Sequence, residues 1–245
     1  MATDYNQIAE EYKESKQMPW RLFAELPTLL GLAGDLAGKT VLDLACGDGF
    51  YTRRFRQLGA AEVVGVDISA AMIELAKSQN PAGLSGIDYL VKDVHQLDLN
   101  KKFDLVAASY LLNYASDQEQ LKSFCRVISR HLKPGGRFIT INNNPDCKCP
   151  PGDLRHYGFT RESMGSAEGS EIIYRFFSAD GSHIDVVNYQ LERSTHESTL
   201  QGEGLTEVRW QQLAVSDEGI RIHGKDYWEA LIRCQPVIGL SCGKA

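Results

Sequence analysis

The chain has 245 residues, 43% of them hydrophobic and 24% charged, with a net charge of -6; these are ordinary values for a globular protein with a well-filled core. The acidic balance argues against a nucleic-acid partner, no run approaches the roughly 18 apolar residues that cross a bilayer, and the first residues lack a secretory signal. Six cysteines in a chain this long read as reduced thiols and not as a disulfide scaffold. The expectation is a cytoplasmic protein, monomer or homodimer, with a small-molecule substrate, no nucleic acid and no membrane.

Residues 1–36 read as an amphipathic helical cap with Tyr5, Ile8, Tyr12, Trp20 and Phe23 as its apolar side chains. From residue 38 short apolar runs alternate with amphipathic stretches, the pattern of an α/β fold with a parallel sheet. The first run, 40–45, leads through Cys46-Gly47-Asp48-Gly49 into a helix over 50–58 that Gly59 stops. The second, 62–67, precedes a helix with Ser69 as N-cap and Met72, Ile73, Leu75 and Ala76 as its apolar residues. The third run, 87–91, ends at Lys92-Asp93, and the fourth spans 103–109. A helix follows with the inner stripe Leu121, Phe124, Cys125, Ile128 and Leu132, its start marked by a capping box of Asp117 and Gln120. Lys133-Pro134-Gly135-Gly136 ends that helix, and 137–141 makes the fifth strand. Over 143–193 the rhythm lapses into an insertion containing a hairpin of 172–177 and 183–191 turned at Ala179-Asp180-Gly181, a natural lid. The closing part, 194–245, carries a capping box Ser194-Thr195-His196-Glu197 with a helix to about Gly204, a strand 207–213, a helix around 228–234 and a last strand 237–242.

In an open parallel sheet a ligand sits beyond the carboxyl ends of the strands, where the turn Ala45-Cys46-Gly47-Asp48-Gly49 opens a helix. A nicotinamide site wants a third small residue and no negative charge at the diphosphate; here Thr52 stands three after Gly49, and Asp43 and Asp48 flank the turn. Carboxylates repel a diphosphate but suit the cationic end of an amino acid. Asp67, ending the second strand, suits a ribose diol. Asp93 with Val94 is placed for an adenine amino group, and Ile68 and Met72 for contact with the ring. The combination favours S-adenosylmethionine. A nicotinamide-dependent oxidoreductase and a non-catalytic adenosyl-binding protein remain the rival readings.

The stretches V-L-D-L-A-C-G-D-G at 41–49, V-V-G-V-D at 63–67, Asp93, F-D-L-V-A-A-S-Y at 103–110 and L-K-P-G-G-R-F at 132–138 resemble those of class I S-adenosylmethionine-dependent methyltransferases. The resemblance covers 38–142. It implies a Rossmann-like doubly wound sheet of seven strands in the order 3-2-1-4-5-7-6, the last antiparallel, and S-adenosylhomocysteine as the cofactor product. Ala45 stands where the family often has glycine, a small replacement that still allows close approach. Tyr5-Asn6-Gln7-Ile8-Ala9-Glu10-Glu11-Tyr12 is similar to the start of many small-molecule members, in which this segment covers the cofactor, a role that carries over to Tyr12. The runs I-A-E-E-Y-K-E-S-K-Q, A-S-Y-L-L-N-Y-A, I-N-N-N-P and W-E-A-L-I-R further resemble the N-methyltransferases of toxoflavin biosynthesis. The resemblance implies methylation of a ring nitrogen in an azapteridine of the toxoflavin/reumycin type, a nitrogen acidic enough to need little help from a base. An O- or N-methyltransferase of another small metabolite is the alternative.

Methyl transfer from a sulfonium mainly requires alignment and exclusion of water. Ser109, Tyr110 and Asn113 follow the fourth strand, and Asn142 and Asn144 end the fifth; Tyr110 is placed to flank the sulfonium, and the asparagines offer donors and acceptors to a heterocycle. Tyr5, Trp20 and Tyr157 add aromatic surface for it, and His156 is the candidate base. Cys147 and Cys149 have no second pair at zinc spacing, so no metal is expected. The N-P-P-[YF] signature of amino-methylating nucleic-acid enzymes is missing after the fourth strand, where Ser109-Tyr110-Leu111-Leu112 stands.

Overall fold

The computed structural model describes residues 5, 6, 8–150, 152–178 and 180–245, with the backbone alone for 9–11. Residues 1–4, Gln7 of the N-terminal motif and Ala179 of the expected hairpin turn lie outside the described residues. The chain begins with α1 (Ala9–Ser15), a π-helical turn (Arg21–Glu25) and α2 (Leu26–Ala33). It continues as β1 (Thr40–Leu44), α3 (Phe50–Gln57), β2 (Glu62–Asp67), α4 (Ala70–Ser78), β3 (Ile87–Val91), β4 (Phe103–Ala107), α5 (Gln118–His131) and β5 (Leu132–Asn143). Then come β6 (Phe159–Ser163), β7 (Glu171–Phe177), β8 (His183–Tyr189), α6 (Arg193–Gly202), β9 (Leu205–Gln211), α7 (Asp217–His223), α8 (Glu229–Cys234) and β10 (Val237–Lys244).

Seven strands form one sheet in the order β3-β2-β1-β4-β5-β10-β9, with β10 antiparallel to both neighbours. This is the expected order, since β9 and β10 are the sixth and seventh strands of that sheet. The central strands are buried along nearly their whole length, as helices on both faces require. Alternate side chains feed two cores: Val41, Leu105 and Ile139 point toward α2 and α3, while Leu42, Val64, Val106 and Phe138 point toward α5 and α6. Leu121, Phe124, Cys125, Ile128 and Leu132 are all buried, as their spacing predicts. No helix among the described residues is long and apolar enough to cross a membrane.

Several local expectations fail for identifiable reasons. The capping box of α5 is half formed: Asp117 accepts from the Gln120 backbone N–H at 2.9 Å, but the Gln120 side chain turns to Ser116. The box at 194–197 is not used at all. Helix α6 starts at Arg193 behind Glu192 with no side-chain cap, because Glu168 takes the Glu192 N–H and the Thr195 hydroxyl, while Glu197 accepts from Trp210 Nε1. Strand β5 begins at Leu132, five residues early, through a register break around Gly135 at φ +72°. The insertion is a three-stranded sheet β6-β7-β8, one strand more than the expected hairpin; the five residues of β6 are too short for a clear alternation. Helix α7 also went unforeseen. The expectation of six free thiols is overturned, since Cys149 and Cys234 form a disulfide that ties the loop after β5 to the end of α8.

Candidate cofactor and acceptor site

A cavity of about 360 Å³ opens beyond the carboxyl ends of β1, β2, β3 and β4. The turn after β1 forms its floor. Ala45 and Gly47 are left-handed at φ +53° and +56°, and a Cβ on Gly47 would meet nothing within 4 Å, so this stretch of backbone lies open to a ligand. Asp67 lines the wall, with Oδ2 accepting from Gly47 N–H at 2.8 Å and Oδ1 from Ser69 N–H at 2.9 Å. Burial raises its carboxyl above the ordinary range, against the hydrogen bonds from Ser69 and Gly47. Ile68, Met72, Asp93 and Val94 line the far end. Asp93 Oδ1 accepts from His95 N–H, and the His95 ring stacks on Phe124 at 4.4 Å on the rim. Tyr5, Tyr12, Ser109 and Tyr110 close the opposite end, where the Ser109 hydroxyl is buried without a partner among the described residues. Beneath the turn the Lys16 ammonium lies 4.9 to 5.4 Å from the ring centroids of Tyr51, Tyr12 and Tyr110.

Tyr5, Tyr12, Tyr110 and Tyr114 are shared with a second chamber of about 20 Å³, reaching under the insertion to Tyr174, Phe176, Val186 and Asn188. Its walls are largely aromatic. Trp20 Nε1, Arg21 Nε and both amide atoms of Asn113 are buried and lack a partner among the described residues. Arg21 and Glu25, at 1% and 0% exposure, pair through Arg21 Nη1 at 3.1 and 3.3 Å. Burial pulls the Arg21 guanidinium down, but Glu25, Tyr110 and Tyr12 together hold the group above its ordinary range. The Tyr110 hydroxyl donates to Glu25, and the Tyr5 and Tyr114 hydroxyls share a hydrogen bond.

Residues 41–136 match the family profile described as a methyltransferase domain. The match takes in 96 of the 245 residues. The chain is 36% identical over 111 residues to the ubiquinone biosynthesis O-methyltransferase of Bradyrhizobium sp. (strain ORS 278), 44% of this chain and 42% of that protein. With the enzyme of the same description from Coxiella burnetii (strain RSA 493 / Nine Mile phase I) it shares 34% over 112 residues, 44% and 46% of the two chains. The chain thus spans less than half the length of these curated relatives. Among solved structures it is similar to an S-adenosylmethionine-dependent methyltransferase from Mesorhizobium loti, with a TM-score of 0.67, 20% identity and 94% and 100% of the two chains covered. The CcbJ methyltransferase from Streptomyces caelestis gives 0.66 and 16%, over 100% and 99%. At such identities the likeness is one of fold.

Not every expected residue reaches the site that this domain builds. Asp43 and Cys46 do not line the cavity. Asp43 lies beneath the turn, accepting from Thr52 Oγ1 at 2.6 Å, and burial pushes its carboxyl up to about 7 against the Thr52 bond and the Lys16 charge. Cys46 turns into the sheet beside Gly65, and Asp48 faces Arg53 at 3.6 Å. Asn142 points to the opposite face of β5, its Nδ2 3.3 Å from His196 Nε2. Asn144 braces a turn through Gln235 O and Asp146 N–H. The Tyr157 hydroxyl is satisfied by Tyr227 O and Leu231 N–H, and His156 sits beside it, outside both chambers. His156 is therefore withdrawn as the base. Sequence reading missed Arg21, Glu25, Tyr174 and Asn188; the four-residue spacing of Arg21 and Glu25 was visible, but such pairs usually face solvent.

Proposed function

We propose that the protein is an S-adenosylmethionine-dependent N-methyltransferase acting on a small nitrogen heterocycle, an azapteridine of the toxoflavin/reumycin type. The observation that carries this reading is the adjacency of the two chambers, one acidic and opening on a glycine turn, the other aromatic with unanswered hydrogen-bonding groups, joined by four tyrosines. When bound, S-adenosylmethionine supplies a methyl group on a sulfonium whose departure leaves a neutral thioether.

The chain's own residues would do the rest. Asp67 would hold the ribose diol and Asp93 the adenine edge, with Ile68 and Met72 against the ring. The Ser109 hydroxyl, without a partner among the described residues, and the open backbone at Gly47 fit the amino-acid portion. Asp43 supports the same end through field and not through contact. The inner chamber, at about 20 Å³, must widen to admit a bicyclic ring; once it does, Trp20 Nε1–H and Arg21 Nε–H would donate to ring carbonyl or nitrogen acceptors, and the Asn113 amide would both donate and accept. Such groups cost about 1–3 kcal/mol each while unpaired and buried, so an acceptor molecule that answers them is selected. The insertion supplies the aromatic cover that excludes water.

The relatives are ubiquinone biosynthesis O-methyltransferases, which favours an oxygen acceptor as a second reading. A mass-resolved turnover assay with S-adenosylmethionine separates the two, offering a demethylated azapteridine and, in parallel, a polyhydroxylated benzoquinol precursor. Gain of one or two methyl masses on the azapteridine is the expected result. Methylation of the phenol alone would replace the substrate, and turnover of neither, with adenosyl binding intact, would remove both acceptors.

A further inference from the structure

A heterocyclic N–H must lose its proton when the nitrogen is methylated, and in a chamber that excludes water the proton needs an acceptor within the protein. The geometry points to Tyr110 and Glu25 as a proton relay that takes this proton and lets the acceptor bind as an anion beside Arg21. The inference rests on the methyltransferase reading of the two chambers.

Tyr110 lines both chambers, and from that shared wall its hydroxyl reaches Glu25. It donates its own proton to Glu25 Oε2, which leaves a lone pair on the phenol oxygen free to accept one. Glu25 has no solvent exposure and lines neither chamber, so its access to a ligand proton runs through Tyr110. Arg21 lies on the same π-helical turn and Tyr110 beyond β4; the Lys16 ammonium and the Tyr12 ring lie next to them. Tyr110 also holds φ +65°, a conformation that costs a bulky residue about 1–3 kcal/mol and collects at functional sites. A packing tyrosine would not need it.

The transfer balances in atoms and charge. The acceptor N–H bond breaks and its proton bonds to the Tyr110 oxygen, while the proton Tyr110 carried passes to Glu25 Oε2. The electron pair of the broken N–H bond stays on nitrogen and later forms the N–CH3 bond. Before the shift the Arg21 cation answers the Glu25 carboxylate; after it, Glu25 is neutral and Arg21 answers the acceptor anion through its free Nε–H. The buried net charge is unchanged, which low-dielectric surroundings demand. Burial and the Glu25 charge hold the Tyr110 phenol well above its ordinary range, so it passes a proton on without dwelling as a phenolate.

The test uses the demethylated azapteridine, with S-adenosylhomocysteine present for ultraviolet difference spectra and S-adenosylmethionine for turnover. Wild type is expected to bind it with the spectrum of the anion near neutral pH. Glu25→Gln is expected to bind it as the neutral form and to lose about 10²-fold or more in kcat, with cofactor affinity unchanged. Because Glu25→Gln strips Arg21 of its counter-charge and so endangers the fold, Tyr110→Phe is measured beside it; it keeps the Arg21–Glu25 pair and cuts the relay in the middle. A purely structural role would lower affinity or stability without changing the ionisation of bound acceptor. Anionic spectra and kcat within threefold of wild type in Tyr110→Phe would overturn the relay alone. Failure of wild type to bind the azapteridine would overturn the substrate reading and the relay with it, and failure to bind either cofactor form would overturn the methyltransferase reading.

Discussion

Asp67 offers the sharpest check on how the outer chamber is used. Each of its carboxylate oxygens accepts one backbone N–H, Gly47 at 2.8 Å and Ser69 at 2.9 Å, which leaves each oxygen an acceptor position for one hydroxyl of a ribose diol. Asp67→Asn keeps the shape, but only one oxygen remains. At least one hydrogen bond to a charged group is lost, worth about 1.5–3 kcal/mol, and the other becomes neutral. The expected cost is about 2–3 kcal/mol, or roughly 30- to 150-fold in Kd, read by titration calorimetry with S-adenosylhomocysteine. The new amide also faces one of the two backbone donors, so unfolding temperature should fall modestly. Azapteridine affinity should hold, because Asp67 does not line the inner chamber. A Kd within threefold of wild type, with unfolding temperature near normal, would refute the ribose assignment.

Four further outcomes follow from particular contacts. Asp43 is pushed up to about 7 by burial, so its contribution to the free protein's stability, full below its unfolded value near 3.8, is lost as pH rises through 7. Affinity for a cationic cofactor has the opposite sign and should fall about tenfold from pH 8 to pH 6; calorimetry across that window should show the slope, and Asp43→Asn should flatten it. Trp20→Phe and Asn113→Leu each remove chamber hydrogen-bonding groups and should raise the azapteridine KM about tenfold, near 1–1.5 kcal/mol, leaving cofactor Kd alone. Asn142→Ala should instead lower the unfolding temperature without moving KM, since its amide faces His196. Reducing Cys149–Cys234, which closes a separation of 85 residues, should lower stability by up to roughly 4 kcal/mol on loop-entropy grounds; a melting temperature indifferent to reductant in wild type would show that the bond does not form.

The fold was legible because its signal is physical and local. Strands β1 and β2 are buried on both faces, so they print nearly continuous apolar runs, and the glycine turn needs left-handed backbone that composition reveals. Residue-level placement failed where facing matters. Ile141 and Asn142 are neighbours in β5, yet the first joins the core on the cofactor side and the second faces His196; a shift of one residue in a strand exchanges the two faces. Asp43, expected at the ligand, does not line the cavity, since the strand turns it toward Thr52 beneath the turn. The capping box at 194–197 failed because a carboxylate from the insertion, Glu168, reaches the helix start first.

The two chambers differ in how their parts are spread along the chain, and that difference decides what relatives can say. Asp67, Ile68, Met72, Asp93, Val94 and Ser109 lie within 41–136, the stretch that matches the methyltransferase domain family. The inner chamber draws on Trp20 and Arg21 before that stretch, on Asn113 within it and on Tyr174, Phe176, Val186 and Asn188 beyond it, and shares Tyr5, Tyr12, Tyr110 and Tyr114 with the outer one. A cofactor that every member must bind can be answered by one contiguous segment at strand ends, whereas acceptor choice is left to cap and insertion. Similarity confined to 44% of the chain therefore bears on the cofactor and not on the acceptor. Exchange of the 143–193 insertion with that of a phenol O-methyltransferase should move the acceptor preference and leave S-adenosylhomocysteine affinity within a few-fold. If adenosyl affinity collapsed while azapteridine turnover persisted, this division of the two chambers would be wrong.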